Sequence, residues 1–419
     1  MTPRFLMTLS RLCLLPLFLA GCVADPALIS AACDPDRPTT RIHEVQGAGP
    51  ASPLAGTTVQ IEGIVVGDFQ HRRRGAIGRH GDLGGFAVQE GTADADGDPA
   101  TSEGIFVMDG MAPRVDVSVG DRVCVTGPVK EVAGETRMVA TERGSGVAVT
   151  GSGFALPPAR VVTLPAAGTV LNDDGVAVAD LERFEGEHVQ IAGPMTVTDL
   201  AALDRFGEFT VSAGGQLESY TQTNTPDPVG FAAHNESDAR RSLRVDDGVE
   251  AARPDPIPYP PPKLEPTNVV RVGDTVSSLQ GVITWRRGDA VDGAQDYRLM
   301  PTATPAFTAA NPRPALPPTV GGDVTVAAFN VEYFYNGTAG DPASFPIGGG
   351  RTTHSEYLRQ RDKLVTAIAE LDADIVGLNE LENDYADGPN SAIADLVDGL
   401  NAALGAGTYA YLDPGITFG

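Results

Sequence analysis

Val324-Thr325-Val326-Ala327-Ala328-Phe329-Asn330-Val331-Glu332 is the stretch that decides how the C-terminal region folds. It follows Gly321-Gly322-Asp323 and is apolar and β-branched, the pattern of a short buried strand with Asn330 and Glu332 at its end. Thr353-His354-Ser355-Glu356 then has the spacing of a capping box, and Leu358, Leu364, Val365, Ile368 and Leu371 follow at helical intervals. A second apolar run, Asp374-Ile375-Val376-Gly377-Leu378, delivers Asn379, Glu380, Leu381, Glu382 and Asn383 to its C-terminal end. Strand, helix and strand at this spacing predict a β-α-β unit whose strand ends converge on one rim, so Asn330 and Glu380 are expected to meet. A carboxylate and an amide oxygen are hard ligands, suited to Mg²⁺ or Ca²⁺ rather than to a soft metal.

Further on, Ile393, Leu396, Val397, Leu400 and Leu404 form an apolar helical stripe after the cap residues Asn390-Ser391. Thr408-Tyr409-Ala410-Tyr411-Leu412 reads as the start of another strand. Singly, each site residue has a plain reading: Asn after a strand is a common turn residue, and a strand-end Glu is commonly a solvated carboxylate. Glu332 and Glu382 either orient a ligand or sit in solvent, and His354 reads as a loop or capping residue rather than a general base.

Taken together and in order, these residues resemble the endonuclease/exonuclease/phosphatase superfamily, the deoxyribonuclease-I-like fold. The matching motifs are Phe329-Asn330-Val331-Glu332-Tyr333-Phe334 and Ala373-Asp374-Ile375-Val376-Gly377-Leu378-Asn379-Glu380, with Asn379 where the family usually has Gln. The continuation Leu381-Glu382-Asn383-Asp384 resembles the branch of large bacterial extracellular endonucleases of the ExeM/NucH type. The resemblance implies an α/β sandwich, a metal site of Glu380 and Asn330 holding Mg²⁺ or Mn²⁺, with Ca²⁺ a third candidate, and hydrolysis of phosphodiester bonds. It also implies that a His–Asp pair, an Asp-x-Asn segment and a terminal His should follow Gly419, so the chain as written is expected to be inactive by itself, with only part of the sandwich.

Upstream, the region 41–150 is expected to be a small all-β barrel. Thr58 to Val66 alternates, and Gly85 to Gln89, Gly104 to Val107 and Asp121 to Gly127 are short strands between turn residues. Ile42-His43-Glu44-Val45-Gln46-Gly47, Thr101 to Val107 and Val119-Gly120-Asp121 resemble the oligonucleotide-binding-type barrel that precedes the nuclease in the same family. Within it, His71-Arg72-Arg73-Arg74 with Arg79-His80 reads either as a phosphate-contacting loop or as a solvated hairpin. Asp94-Ala95-Asp96-Gly97-Asp98 has the alternating carboxylates of a Ca²⁺ loop, but Pro99 and the lack of a twelfth-position Glu depart from an EF-hand; a solvated acidic turn is the other reading. A second β-rich domain is expected at 160–308, with strands at Gly186 to Gly193, Arg271 to Val276 and Gln280 to Trp285, followed by a Pro-rich linker at 309–322 and the α/β domain at 323–419.

The net charge of −25 argues against a protein that coats polyanions by bulk electrostatics. Residues 1–21 have the basic start, apolar core and short length of an export signal, and Leu19-Ala20-Gly21-Cys22 resembles a bacterial lipobox. Lipidation at Cys22, a tether over 22–40 and attachment to the cell envelope follow from that resemblance; an ordinary signal peptide is the alternative. Cys33 and Cys124 then remain of four cysteines, either as one disulfide or as two buried thiols. The expected function is that of an exported metal-dependent nuclease with DNA as substrate. A related phosphodiesterase or phosphatase, and a non-catalytic surface lipoprotein whose β domains bind a partner, are the alternatives.

Overall fold

The computed structural model describes residues 33–70, 83–249, 252–287, 295–413 and 415. Residues 1–21, where an export signal is expected, Cys22 and the basic run from His71 to Arg74 with Arg79-His80 lie outside the described residues. The chain is mostly β and divides into two compact units, one ending at Pro312 and the other beginning at Arg313 within the proline-rich stretch. No helix among the described residues is long and apolar enough to cross a membrane.

In the first unit a short helix, α1 (Ile42–Gln46), precedes six strands: β1 (Thr58–Phe69), β2 (Gly85–Gln89), β3 (Gly104–Met108), β4 (Arg122–Val132), β5 (Glu135–Val139) and β6 (Gly146–Gly151). Five of them close a barrel in the order β1-β2-β3-β5-β4, because β1 pairs with both β2 and β4; β6 extends the sheet beside β4. The long first strand makes closure possible. Its first half, Thr58 to Ile64, runs against β4, and its second half, Ile64 to Phe69, runs against β2. A bulge between Val65 and Gly67 bends it from one neighbour to the other. Gly67 is required at that bend, since a Cβ there would lie 2.6 Å from the Phe69 ring. Ile61, Val65, Phe86, Val88, Ile105, Val107, Val123 and Val125 fill the interior. Cys33 and Cys124 form a disulfide that ties the start of the described chain to β4.

A second sheet follows, built from β7 (Arg160–Val162), β10 (His188–Ile191), β11 (Met195–Asp199), β12 (Phe209–Ser212), β13 (Ser242–Val245), β14 (Thr275–Ser277), β15 (Gln280–Arg287), β16 (Gln295–Pro301) and β17 (Ala306–Thr308). Its order is β17-β14-β11-β12-β13-β16-β15-β10-β7, a half-barrel. A hairpin of β8 (Thr169–Leu171) and β9 (Ala177–Ala179) stands apart, and the helices α2 (Leu203–Phe206), α3 (Tyr220–Thr223) and α4 (Pro228–Arg241) are insertions. Arg298 is only 1% exposed on β16 and pairs with Glu208, Asp246 and Asp296; removing it would leave these three carboxylates with Arg244 as their one remaining cation among the pairs described.

The barrel and half-barrel meet along a polar seam. Gly104 and Gly186 approach backbone to backbone, where a Cβ on Gly104 would lie 2.3 Å from the Gly186 carbonyl oxygen. Around them the Gln46 amide donates to the carbonyls of Gly104 and Glu185, Ser102 donates to the carbonyl of Glu185, and the Thr136 amide donates to the Glu185 carboxylate.

The second unit contains β18 (Val326–Phe334), α5 (His354–Leu371), β19 (Ile375–Leu381) and α6 (Ala392–Leu404). The strands pair in parallel, with Val326 opposite Ile375 and Asn330 opposite Asn379. Phe329, Val376 and Leu378 pack on one face with Leu364, Ile368, Leu396 and Leu400 of the helices. Thr353 and Glu356 form the capping box that starts α5. On the other face Val326 is 71% exposed and Ile375 56% exposed. The expected strand at Thr408 to Leu412 does not form: no strand pairs with this segment among the described residues, and Tyr409 and Tyr411 line a groove of about 310 Å³ beside β19.

Candidate metal centre

Asn330 and Glu380 come from adjacent parallel strands, and the period-2 alternation decides which way they face. Phe329 and Leu378 turn toward the helices, so Asn330 and Asn379, one residue on, turn to the open face. Glu380 would then point back toward the helices. It does not, because its backbone is left-handed, with φ 60°. The register slips at the same level: Asn330 sits opposite Asn379 but the next pair is Phe334 with Leu381, and the extra residues on β18 include Glu332 at φ 55° and Tyr333 at φ 51°. Three non-glycine residues in this sparsely populated region at one strand end amount to local strain held in place by the surrounding fold.

The result is a direct contact. The Asn330 side-chain amide donates to Glu380 Oε1 at 2.9 Å, while Asn330 Oδ1 accepts the backbone N–H of Glu332 at 2.8 Å. Both ends of the Asn330 amide are therefore committed, which fixes its flip. Asn330 presents an N–H, not an oxygen, to the carboxylate, and so acts as an orienting group for Glu380. Glu380 itself stands at the solvent boundary and is the carboxylate available to a cation.

The neighbouring acids do structural work. Glu382 accepts the Asn336 backbone N–H at 2.8 Å, and partial burial, followed by the charges of Asp384 and Asp387, raises its pKa above the ordinary carboxylate value. Asp384 accepts the Ala392 N–H at the start of α6, and burial raises its pKa too. Glu332 is 77% exposed in its side chain and lies 3.7 Å from Arg351. His354 stands in the first turn of α5, with its ring against Tyr357 and Phe345 rather than beside Glu380. A lone oriented carboxylate next to an amide suits a hard, mostly hydrated dication of the Mg²⁺ or Mn²⁺ kind, which keeps several waters and takes one or two protein oxygens.

A second constellation, His43 with Glu90 and Glu103, is assembled in the barrel and was not legible as a site in the sequence. Its members come from α1 and from the two sides of the β2–β3 hairpin; the only local signal was the acidic loop Asp94 to Asp98 between the two glutamates. No protein-family model matches this chain, and no curated protein matches it.

Proposed function

We propose that the second unit carries the metal-binding part of a metal-dependent phosphodiesterase acting on nucleic acid, in a fold of the deoxyribonuclease-I-like type. The observation that carries this reading is the Asn330–Glu380 hydrogen bond at the end of a parallel strand pair. Asn330 holds the carboxylate in one orientation, and the left-handed backbone of Glu380 turns that carboxylate to the open face where an extended phosphodiester has access. A dication bound there would polarise a phosphoryl oxygen and stabilise charge developing on it. The β1-β2-β3-β5-β4 closure of the first barrel supports an oligonucleotide-binding-like reading of that domain. The Cys33–Cys124 disulfide accords with an exported protein, and a lipid anchor at Cys22 belongs to the same reading.

The test is cleavage of plasmid DNA by the product of the full reading frame that encodes this chain, with Mg²⁺ or Mn²⁺ present. Cleavage that is lost in Glu380→Ala supports the proposal. Hydrolysis confined to small phosphate esters would move the assignment to a phosphatase of the same chemistry. Cleavage unchanged by Glu380→Ala would remove Glu380 from the site. Labelling with radioactive palmitate, lost in Cys22→Ser, tests the anchor.

A further inference from the structure

Glu90 and Glu103 stand across the β2–β3 ladder from each other, one step beyond the Gln89–Gly104 pair, and are linked by the Glu90 N–H to the Glu103 carbonyl at 2.9 Å. Two acidic side chains directly opposite on neighbouring strands repel, and these two are also removed from water: the Glu90 side chain is 1% exposed and that of Glu103 12%. His43, brought over them by α1, places Nδ1 at 2.8 Å from Glu90 Oε2 and 3.4 Å from Glu103 Oε2. The Ile42 N–H of the same helix donates to Glu90 Oε1 and so fixes which oxygen faces inward. Glu103 Oε1 takes the N–H of Asp96, and Oε2, shut off from water, faces His43 Nδ1. Donor atoms of all three residues lie within 4.8 Å of one another. Ligand atoms on one cation with bonds of about 2.1 Å stand roughly 3.0–3.5 Å apart, so only small side-chain rotations separate this arrangement from a closed site.

We propose that His43, Glu90 and Glu103 form a divalent-cation site in the first barrel, distinct from Glu380, for a first-row transition ion such as Zn²⁺ or Mn²⁺. The imidazole selects this class over Ca²⁺ and Mg²⁺, which prefer oxygen alone. Two carboxylates and a neutral imidazole sum to two negative charges, which one dication balances; a protonated His43 balances only one. Binding requires His43 Nδ1 to give up any proton it carries, because the same lone pair serves the metal. The loop Asp94 to Asp98 lies over the opening: Asp96 reaches Glu103 through its N–H and carries its carboxylate on the hydroxyl of Thr101, and Arg41 pairs with Asp94. The site would pin α1, the hairpin and that loop together, a structural role for the metal.

The experiment uses the chain in a Glu380→Gln background, stripped with chelator, titrated separately with ZnCl₂, MnCl₂ and CaCl₂ by calorimetry, with melting followed by circular dichroism. One equivalent of Zn²⁺ or Mn²⁺ bound, a raised melting temperature, and loss of both in His43→Ala and in Glu103→Gln support the site. Far-UV spectra of the variants matching the parent show that they fold; if His43→Ala does not fold, Glu103→Gln decides alone. No bound equivalent of Zn²⁺ or Mn²⁺ would overturn the proposal. An equivalent that persists undiminished in Glu103→Gln, or that binds Ca²⁺ alone, would also overturn it and place the cation on the Asp94–Asp98 loop.

Discussion

The side-chain N–H of Asn330 is bonded to Glu380 Oε1 at 2.9 Å although fifty positions separate the two residues. In the proposed site, this contact gives Asn330 the orienting role and leaves Glu380 to bind the ion. Mn²⁺ titration followed by electron paramagnetic resonance should therefore distinguish the two. Asn330→Ala is expected to weaken binding at this centre roughly 10-fold, the scale typical of groups that hold a ligand in place, whereas Glu380→Gln should abolish it. The Glu103→Gln background keeps the barrel's ions out of the count. Equal loss in both variants would mean that Asn330 ligates directly.

The backbone of Glu380 leads to a second expectation, on stability. At φ 60° a side chain with a Cβ is strained by about 1 kcal/mol, and glycine is not. Glu380→Gly should thus be more stable than Glu380→Ala by roughly that amount, with metal binding lost in both. Hydrogen exchange of the β18–β19 amides in the two variants is the readout; greater protection in the alanine form would contradict the reading.

Acid should stabilise the first unit. Burial pushes the Asp109 carboxyl up to about 6 despite the hydrogen bond from Gln70, and pushes Glu185 well above the ordinary range, with the charges of Glu135 and Glu182 adding to it. A carboxyl whose folded pKa lies above its unfolded value holds its proton more tightly when folded. Its contribution is fully present below the unfolded value, near 4, and is lost as pH rises through the folded one. For Asp109 that window runs from about pH 4 to about 6, and Glu185 extends it upward. Melting of the unit should be highest near the acid end of the window and decline toward pH 8, and Glu185→Gln should flatten the slope. A melting temperature that climbs from pH 5 to 8 would count against the assignment.

The Cys33–Cys124 bridge spans a sequence separation of 91 residues, a large loop to constrain in the unfolded chain. Reduction, or Cys33→Ser, is expected to cost about 2–4 kcal/mol. Urea denaturation with and without reductant measures it, and coincident midpoints would show that the bridge contributes nothing.

Gly186 meets Gly104 without room for another atom. A Cβ there would lie 2.7 Å from the Gly104 carbonyl carbon, and φ is already 78°. Gly186→Ala should destabilise the first unit by roughly 2–3 kcal/mol through overpacking and strain. An unchanged melting temperature would show that the seam can open at little cost.

Much of the local structure was legible. Alternation marked β1, the apolar runs marked β18 and β19, and the Thr353–Glu356 spacing marked the start of α5, because these signals depend on residues close in sequence. Thr408 to Leu412 shows the limit: its aromatic, β-favouring composition suits a strand, but a strand exists only with a partner, and none pairs with it among the described residues. Similarly, the order Asn330 to Glu380 could be read, but the amide's orientation and the left-handed turn at Glu380 could not.

Sequence by itself determined the chemistry on offer: a hard oxygen-bearing pair at two strand ends, an acidic loop, two cysteines available to pair, and a strongly acidic surface. Only tertiary structure decided how those groups combine. The parallel register set the Asn330 side-chain N–H against Glu380, and closure of the barrel carried His43 onto Glu90 and Glu103, forty-seven and sixty positions away. The physical reason is range. Propensity and capping act within a turn or a strand, whereas burial, like-charge pairing and ligand geometry depend on distances that exist only after the sheets close.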